Sequence, residues 1–242
     1  MEVAKGVHRL TGGIVNFYLV EEAGKLTIVD AGAPTDWGLL AGAIARMGLS
    51  PTDLEAVLLT HAHSDHTGFA ERARASGSPV WVHEADAAVA KGAKPPKNDG
   101  AAWRYLWRLE FYRTLISLAR RGATKIVPVL EVSTYRDGET IEVPGSPRVV
   151  HVPGHTPGMC ALLLEDRRAL LSGDAVVTRN PLTGRTGPQI APSGLNRDTP
   201  LALRSLDRLE GLGADVLLPG HGEPWEGSLG DAVREARAAG TS

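Results

Sequence analysis

Short apolar runs broken by turn residues dominate the chain, and helical spacing appears in the stretches between them. Residues 14–20 (IVNFYLV) and 26–30 (LTIVD) read as strands flanking EEAGK, a hairpin turn. A helix is predicted over 35–47, with Gly48 as its stop signal. Residues 56–60 (AVLLT) form a buried-type strand, followed by a helix at about 68–75, a strand at 80–82 and a short helix over 84–90. Pro and Gly make 91–100 a loop. Beyond it, 101–121 is a long amphipathic helix, with Trp103, Trp107, Phe111, Leu115 and Leu118 at helical spacing. Strands return in KIVPVL, TIEV, RVVHV, ALLLE and ALLSGD. A helix over 200–209 is capped by Thr199, with Pro200 at its first position. DVLLP is a strand, and a last helix covers 230–239.

Hairpin-rich strands with intervening helices occur in both halves, which is not the strict alternation of a doubly wound parallel sheet. The pattern predicts an α/β fold of two mixed sheets packed face to face with helices outside. We expect one domain over 1–242, with a helical insertion at about 91–122.

Composition narrows the picture. The 242 residues are 43% hydrophobic and 22% charged, ordinary for a globular protein able to bury a sizeable core. Cys160 is the single cysteine, which excludes an intramolecular disulfide and a four-cysteine zinc site, and points to a reducing cytoplasm. It sits at the start of an apolar strand and reads as a small buried hydrophobe. The first residues lack the pattern of a signal peptide, and no apolar run is long enough to span a membrane. The net charge of −2 gives no global electrostatic case for nucleic acid.

Chemistry concentrates in THAHSDHTG, residues 60–68. Alternate residues of an extended chain point to the same side, so His61 and His63 can grip one ion together. Asp65 and His66 follow after the chain begins to turn and point elsewhere, so one loop can feed two neighbouring ions. Three more candidates end strands: His155 in RVVHVPGHTPG, Asp174 in ALLSGDAV and His221 in DVLLPGHG. Functional residues gather on loops held by a rigid scaffold. Singly, each has a plainer reading as a turn, cap or structural residue; the remaining histidines, His8, His83 and His151, are read that way.

THAHSDHTG with His155, Asp174 and His221 in that order resembles the metallo-β-lactamase-fold superfamily of hydrolases. The resemblance spans about 30–221. It implies an αββα sandwich with a metal site at one edge between the sheets. It further implies a first metal on His61, His63 and His155, a second on Asp65, His66 and His221, and Asp174 bridging them. Asp30 matches an early aspartate that supports the ligand loop. Such a ligand set implies two divalent ions, zinc foremost with iron or manganese as alternatives. A bridging hydroxide formed near neutral pH would attack a small-molecule substrate, with Asp65 shuttling a proton.

Asp174 argues against a true β-lactamase, where a cysteine or another non-bridging residue takes this place. The pattern looks more like the glyoxalase II thioesterases and the lactonases, so the expected substrate is an ester, thioester or lactone. Only about 20 residues follow His221, against the longer helical end of glyoxalase II, and all four tyrosines precede the segment where lactonases carry a catalytic one. A mononuclear iron persulfide dioxygenase, or a lactamase-like side activity, is the alternative. Two segments are expected to shape the pocket. One is the aromatic stretch with Trp103, Trp107 and Phe111, read as pocket wall, core packing or dimer contact; the chain is expected to be a monomer or homodimer. The other is the long Gly/Pro loop 179–198, with Arg185 and Asn196 as candidate substrate contacts.

Overall fold

The computed structural model describes residues 1–100 and 102–240. Strands β1 (Glu2–Ala4), β2 (Val7–Gly12), β3 (Val15–Glu22), β4 (Lys25–Val29), β5 (Leu54–Leu59), β6 (Val80–His83) and β7 (Ser133–Tyr135) form one sheet in that order. The first four are antiparallel neighbours, and β4 to β7 run parallel. Helices α1 (Trp37–Arg46), α2 (Ala70–Ala75), α3 (Ala87–Ala90) and α4 (Leu109–Arg121) lie between the parallel strands in sequence. The second sheet is built from β8 (Arg148–His151), β9 (Cys160–Leu164) and β10 (Ala169–Gly173). Strands β11 (Val177–Arg179) and β12 (Thr186–Gln189) pair apart as a small hairpin. After α5 (Thr199–Ser205) come β13 (Val216–Pro219), β14 (Trp225–Glu226) and α6 (Leu229–Ala239). The second sheet has the order β14-β13-β10-β9-β8.

Side-chain alternation divides the core into three layers. In β3, Phe17 and Leu19 face outward onto Leu40 and Ile44 of α1 and Ala70 and Ala73 of α2. Tyr18 and Val20 of the same strand face inward, where they meet Cys160, Leu162, Leu164 and Leu171 of the second sheet. The outward residues Ala161, Leu163, Leu170 and Leu217 pack against Ala202 of α5 and Ala232, Val233 and Ala236 of α6. Strands buried on both faces are expected where helices cover a sheet. This is the αββα sandwich. Cys160 is buried within the inner layer, and burial pushes its thiol up.

Strand direction gathers the candidate residues at one edge. Because β8 and β10 each lie antiparallel to β9, and β10 is parallel to β13, the C-terminal ends of β8, β10 and β13 fall together. The parallel strands β4, β5 and β6 likewise end together. Backbone bonds stitch the two ends: Cys160 N donates to Thr60 O (2.9 Å) and Asn16 N to Gly220 O (2.8 Å).

Several local expectations are corrected. KIVPVL is not a strand; Pro128 removes a donor, and Val129 N donates to Ala90 O instead of to a sheet. TIEV contributes one isolated bridge, Thr140 to Arg148. The helix expected over 101–121 breaks, since Arg108 is extended (φ −92°, ψ 126°) and α4 starts only at Leu109. Asp198, not Thr199, caps α5, its side chain accepting from Leu201 N. The loop 179–198 contains β12 and so is partly a hairpin arm. Among the described residues no helix is long and apolar enough to cross a membrane.

Candidate metal centre

The loop after β5 starts the centre. His61 Nε2 faces His63 Nδ1 at 3.1 Å, and His155 Nε2, from the loop after β8, reaches the same His63 nitrogen at 2.9 Å. Three ring nitrogens thus converge on one point. The second group comprises Asp65, His66 and His221, with His221 Nε2 3.7 Å from Asp65 Oδ2. Asp174, at the end of β10, stands between them. Its Oδ1 lies 3.6 Å from His66 Nε2, and its Oδ2 lies 3.4 Å from His155 Nε2 and 3.2 Å from His221 Nε2. All seven expected ligands are therefore brought together, in two adjoining sets with Asp174 between.

The outer nitrogen of each buried ring is held. His61 Nδ1 is 3.0 Å from Thr60 Oγ1, which donates onward to Asp30. His66 Nδ1 is 2.8 Å from Asp30 Oδ2, His155 Nδ1 is 3.0 Å from Asn196 Oδ1, and His221 Nδ1 is 2.8 Å from Ile14 O. Each acceptor places a proton on the outer nitrogen and leaves the inner one with a free lone pair, the form a metal needs. Asp30 lies where sequence placed it, at the end of β4, in a left-handed conformation (φ 62°), with its carboxylate on His66 and Thr60.

These residues fit a metal. His66 Nε2 and Asp174 Oδ1 are buried and have no hydrogen-bond partner, a costly arrangement unless something binds both. A Cβ on Gly220 would collide with Asp174 Oδ1 and come within 2.8 Å of His66 Cε1, so only glycine leaves that space clear. Charge agrees. Burial opposes a charge on His66, but the carboxylates Asp174, Asp30 and Asp65 outweigh it and push the imidazole up to about 10. Burial likewise opposes charge on His221, and Asp174 raises it. The carboxylates thus favour positive charge at this point, carried by protons or by a cation. Around the three-histidine set, burial and the neighbouring rings hold His61 and His63 well below the usual range, as neutral donors.

A cavity of about 250 Å³ opens onto His63, Asp65, Asp174 and His221. Phe111 lines it, together with Leu115 and Leu118 of α4. Trp103 and Trp107 do not; they are 69% and 72% exposed, because the break at Arg108 turns them off the α4 face. Arg185 lies outside the cavity lining and donates from Nη1 to Ala239 O, at the end of α6. Asn196 is fully buried behind His155, with its Oδ1 on His155 Nδ1, and is not among the residues lining the cavity.

Sequence reasoning missed three supports. Asn16 Nδ2 donates to Pro219 O (3.0 Å) and Gly222 O (2.6 Å), and Tyr18 donates to Pro219 O (2.7 Å), so β3 clamps the His221 loop. Asp86 accepts from Ala62 N, Thr156 Oγ1 and Gly158 N (2.7–3.0 Å), tying the His61–His63 loop to the His155 loop. A polar residue amid an apolar strand (IVNFYLV) and an aspartate just past a strand end were the available signals.

Known proteins agree with this geometry. The family model described as the metallo-beta-lactamase superfamily matches residues 10–221. The chain is 29% identical to the probable metallo-hydrolase YflN of Bacillus subtilis, over 93% of this chain and 87% of that one. The metallo-beta-lactamase family protein TTHA1429 of Thermus thermophilus superposes with a TM-score of 0.72 at 30% identity, covering 98% of this chain and 80% of that one. TTHA1623 in a di-iron-bound form superposes with a TM-score of 0.60 at 27% identity, over 93% and 94%. The family match, covering most of the chain and every residue of the two donor sets, shows that this protein belongs to the metallo-beta-lactamase superfamily.

Proposed function

We propose that the protein is a dinuclear metal-dependent hydrolase that cleaves an ester, thioester or lactone in a small molecule. The observation that carries this reading is the pair of adjoining donor sets with Asp174 between them, bordering a cavity. His61, His63 and His155 would hold one ion, and Asp65, His66 and His221 the other. Two divalent ions held there supply Lewis-acid polarisation of a carbonyl and lower the pKa of a water between them. Imidazole and carboxylate donors suit zinc, with iron and manganese also compatible. The di-iron-bound relative supports a two-ion reading.

The chain's own groups do the rest. Asp65 borders the cavity, in position to accept a proton from water and return it to the leaving oxygen or sulfur. Thr60, Asp30, Asn196 and Ile14 keep the ligand rings in their binding tautomers. Apolar side chains on the cavity wall exclude water from the reacting groups and orient the substrate.

Elemental analysis combined with turnover of esters, thioesters, lactones, phosphodiesters, β-lactams and persulfides tests the proposal. Two zinc ions per chain with ester-type turnover is the expected result. One iron per chain with persulfide-dependent oxygen uptake overturns it.

A further inference from the structure

Apart from the metal-ligand side chains, the cavity wall offers a substrate almost nothing polar. Ile14, Phe111, Leu115, Leu118, Leu182 and Leu195 supply most of it. Its two hydroxyls are already engaged inside the protein: Ser64 donates to Ala123 O (2.6 Å) and Thr114 to Pro181 O. No lysine or arginine lines it. The neighbouring arginines are committed elsewhere. Arg179 pairs with Glu110 (2.6 Å) and Arg121 with Asp36. Arg197 approaches the other nitrogen of His63 (Nη2 to Nε2, 3.4 Å), in a separate crevice beside Asp86 and Pro96. An anionic group held against the apolar wall, away from the metal-binding side chains, would lose its hydration and gain no side-chain partner, a large penalty.

Size sets a second limit. About 250 Å³ is less than the 300–1,000 Å³ or so of pockets for drug-sized ligands. By that comparison the cavity admits a group smaller than a drug-sized ligand. The wall is also fixed in place. The bonds from Thr114 to Pro181 and from Arg179 to Glu110 dock α4 against the end of β11 and the segment after it.

Building on the hydrolytic reading of this site, we infer that the cavity selects substrates bearing an uncharged, apolar group, smaller than a drug-sized ligand, beside the scissile bond. The α4 face sets that limit through Phe111, Leu115 and Leu118. Medium-length alkyl or small aryl groups meet this description; carboxylate- or phosphate-bearing groups do not.

Calorimetric binding of straight-chain alkyl hydroxamates, two to twelve carbons long, to the zinc-loaded protein tests the inference apart from turnover. The Kd is expected to fall about fourfold per methylene. The gain should stop before the twelve-carbon chain, where the cavity is filled. Straight-chain alcohols, which need no metal, should follow the same order at weaker affinity. Chains ending in a carboxylate should bind no better than the two-carbon compound. Leu115→Trp should move the plateau to shorter chains, and Leu118→Arg should favour carboxylate-ended ones. A flat length series, or tighter binding of carboxylate-ended chains by the unaltered protein, overturns the inference. A flat series in protein that hydrolyses esters sinks only the pocket assignment. Length-dependent binding without hydrolysis of any ester, thioester or lactone sinks only the hydrolase reading.

Discussion

Asp30 Oδ2 stands 2.8 Å from His66 Nδ1, and the same carboxylate accepts from both the backbone N and the hydroxyl of Thr60, whose Oγ1 is 3.0 Å from His61 Nδ1. One buried side chain therefore governs a ligand in each donor set. Asp30→Ala strands these buried donors, at about 1–3 kcal/mol apiece, and frees both rings. Metal affinity should fall about 10- to 100-fold, with a matching drop in stability to urea. Asp30→Asn keeps one acceptor oxygen and suits the left-handed backbone (φ 62°), so its losses should be smaller. Chelator competition and denaturation measure both. Unchanged metal affinity in Asp30→Ala would show that the contact orients nothing.

Asn196 separates orientation from substrate contact. Its Oδ1 faces His155 Nδ1, and its Nδ2 donates to Ala191 O. Asn196→Ala should weaken metal binding by about 10-fold or more, while KM in metal-saturated protein stays close to that of the unaltered protein. A raised KM with normal metal affinity would restore the substrate-contact role that the loop's position suggested.

How much was legible follows from whether the signal is local. The ligands of THAHSDHTG announce themselves because residue type and spacing lie within one turn of chain, and His155, Asp174 and His221 each follow an apolar strand. The sandwich was legible because hairpin-rich apolar strands with intervening helices recur in both halves, in a motif order that resembles a known fold family. Asn16 was not, since the two carbonyls its Nδ2 clamps lie more than 200 residues away and nothing near it hints at them. Trp103 and Trp107 shared the period of Phe111, but periodicity presumes an unbroken helix, and the extended Arg108 breaks it. KIVPVL has strand composition, yet Pro128 and the nearby Ala90 carbonyl give its backbone a different set of bonds.

The clamp from β3 makes its own prediction. Asn16→Leu replaces the amide with an apolar group and leaves Pro219 O and Gly222 O without that donor. Stability should fall by about 1–3 kcal/mol. The His221 loop should loosen, so the ion held by Asp65, His66 and His221 is lost first. Metal titration should then show one tight and one weakened site, against two tight sites in the unaltered protein. Equal weakening of both would place the effect on the whole sandwich.

Away from the centre, His83 links stability to pH. Its ring stacks on His151 (centroids 4.2 Å apart, 7° between planes), and its Nδ1 accepts from Ala85 N at 3.3 Å. Burial, followed by the adjacent His151, lowers its pKa below the ordinary value. Protonation would also put a donor where Nδ1 now accepts. A histidine with a depressed folded pKa binds more protons when unfolded, so its contribution is present above about pH 6.5 and is lost as pH falls through the folded value. The urea midpoint should therefore drop between about pH 7 and 5.5. His83→Gln, which does not titrate, should show a shallower drop over the same range, and the difference between the two profiles isolates this residue from the acid-sensitive ligands. Parallel profiles would mean that His83 takes up no proton on unfolding in this range.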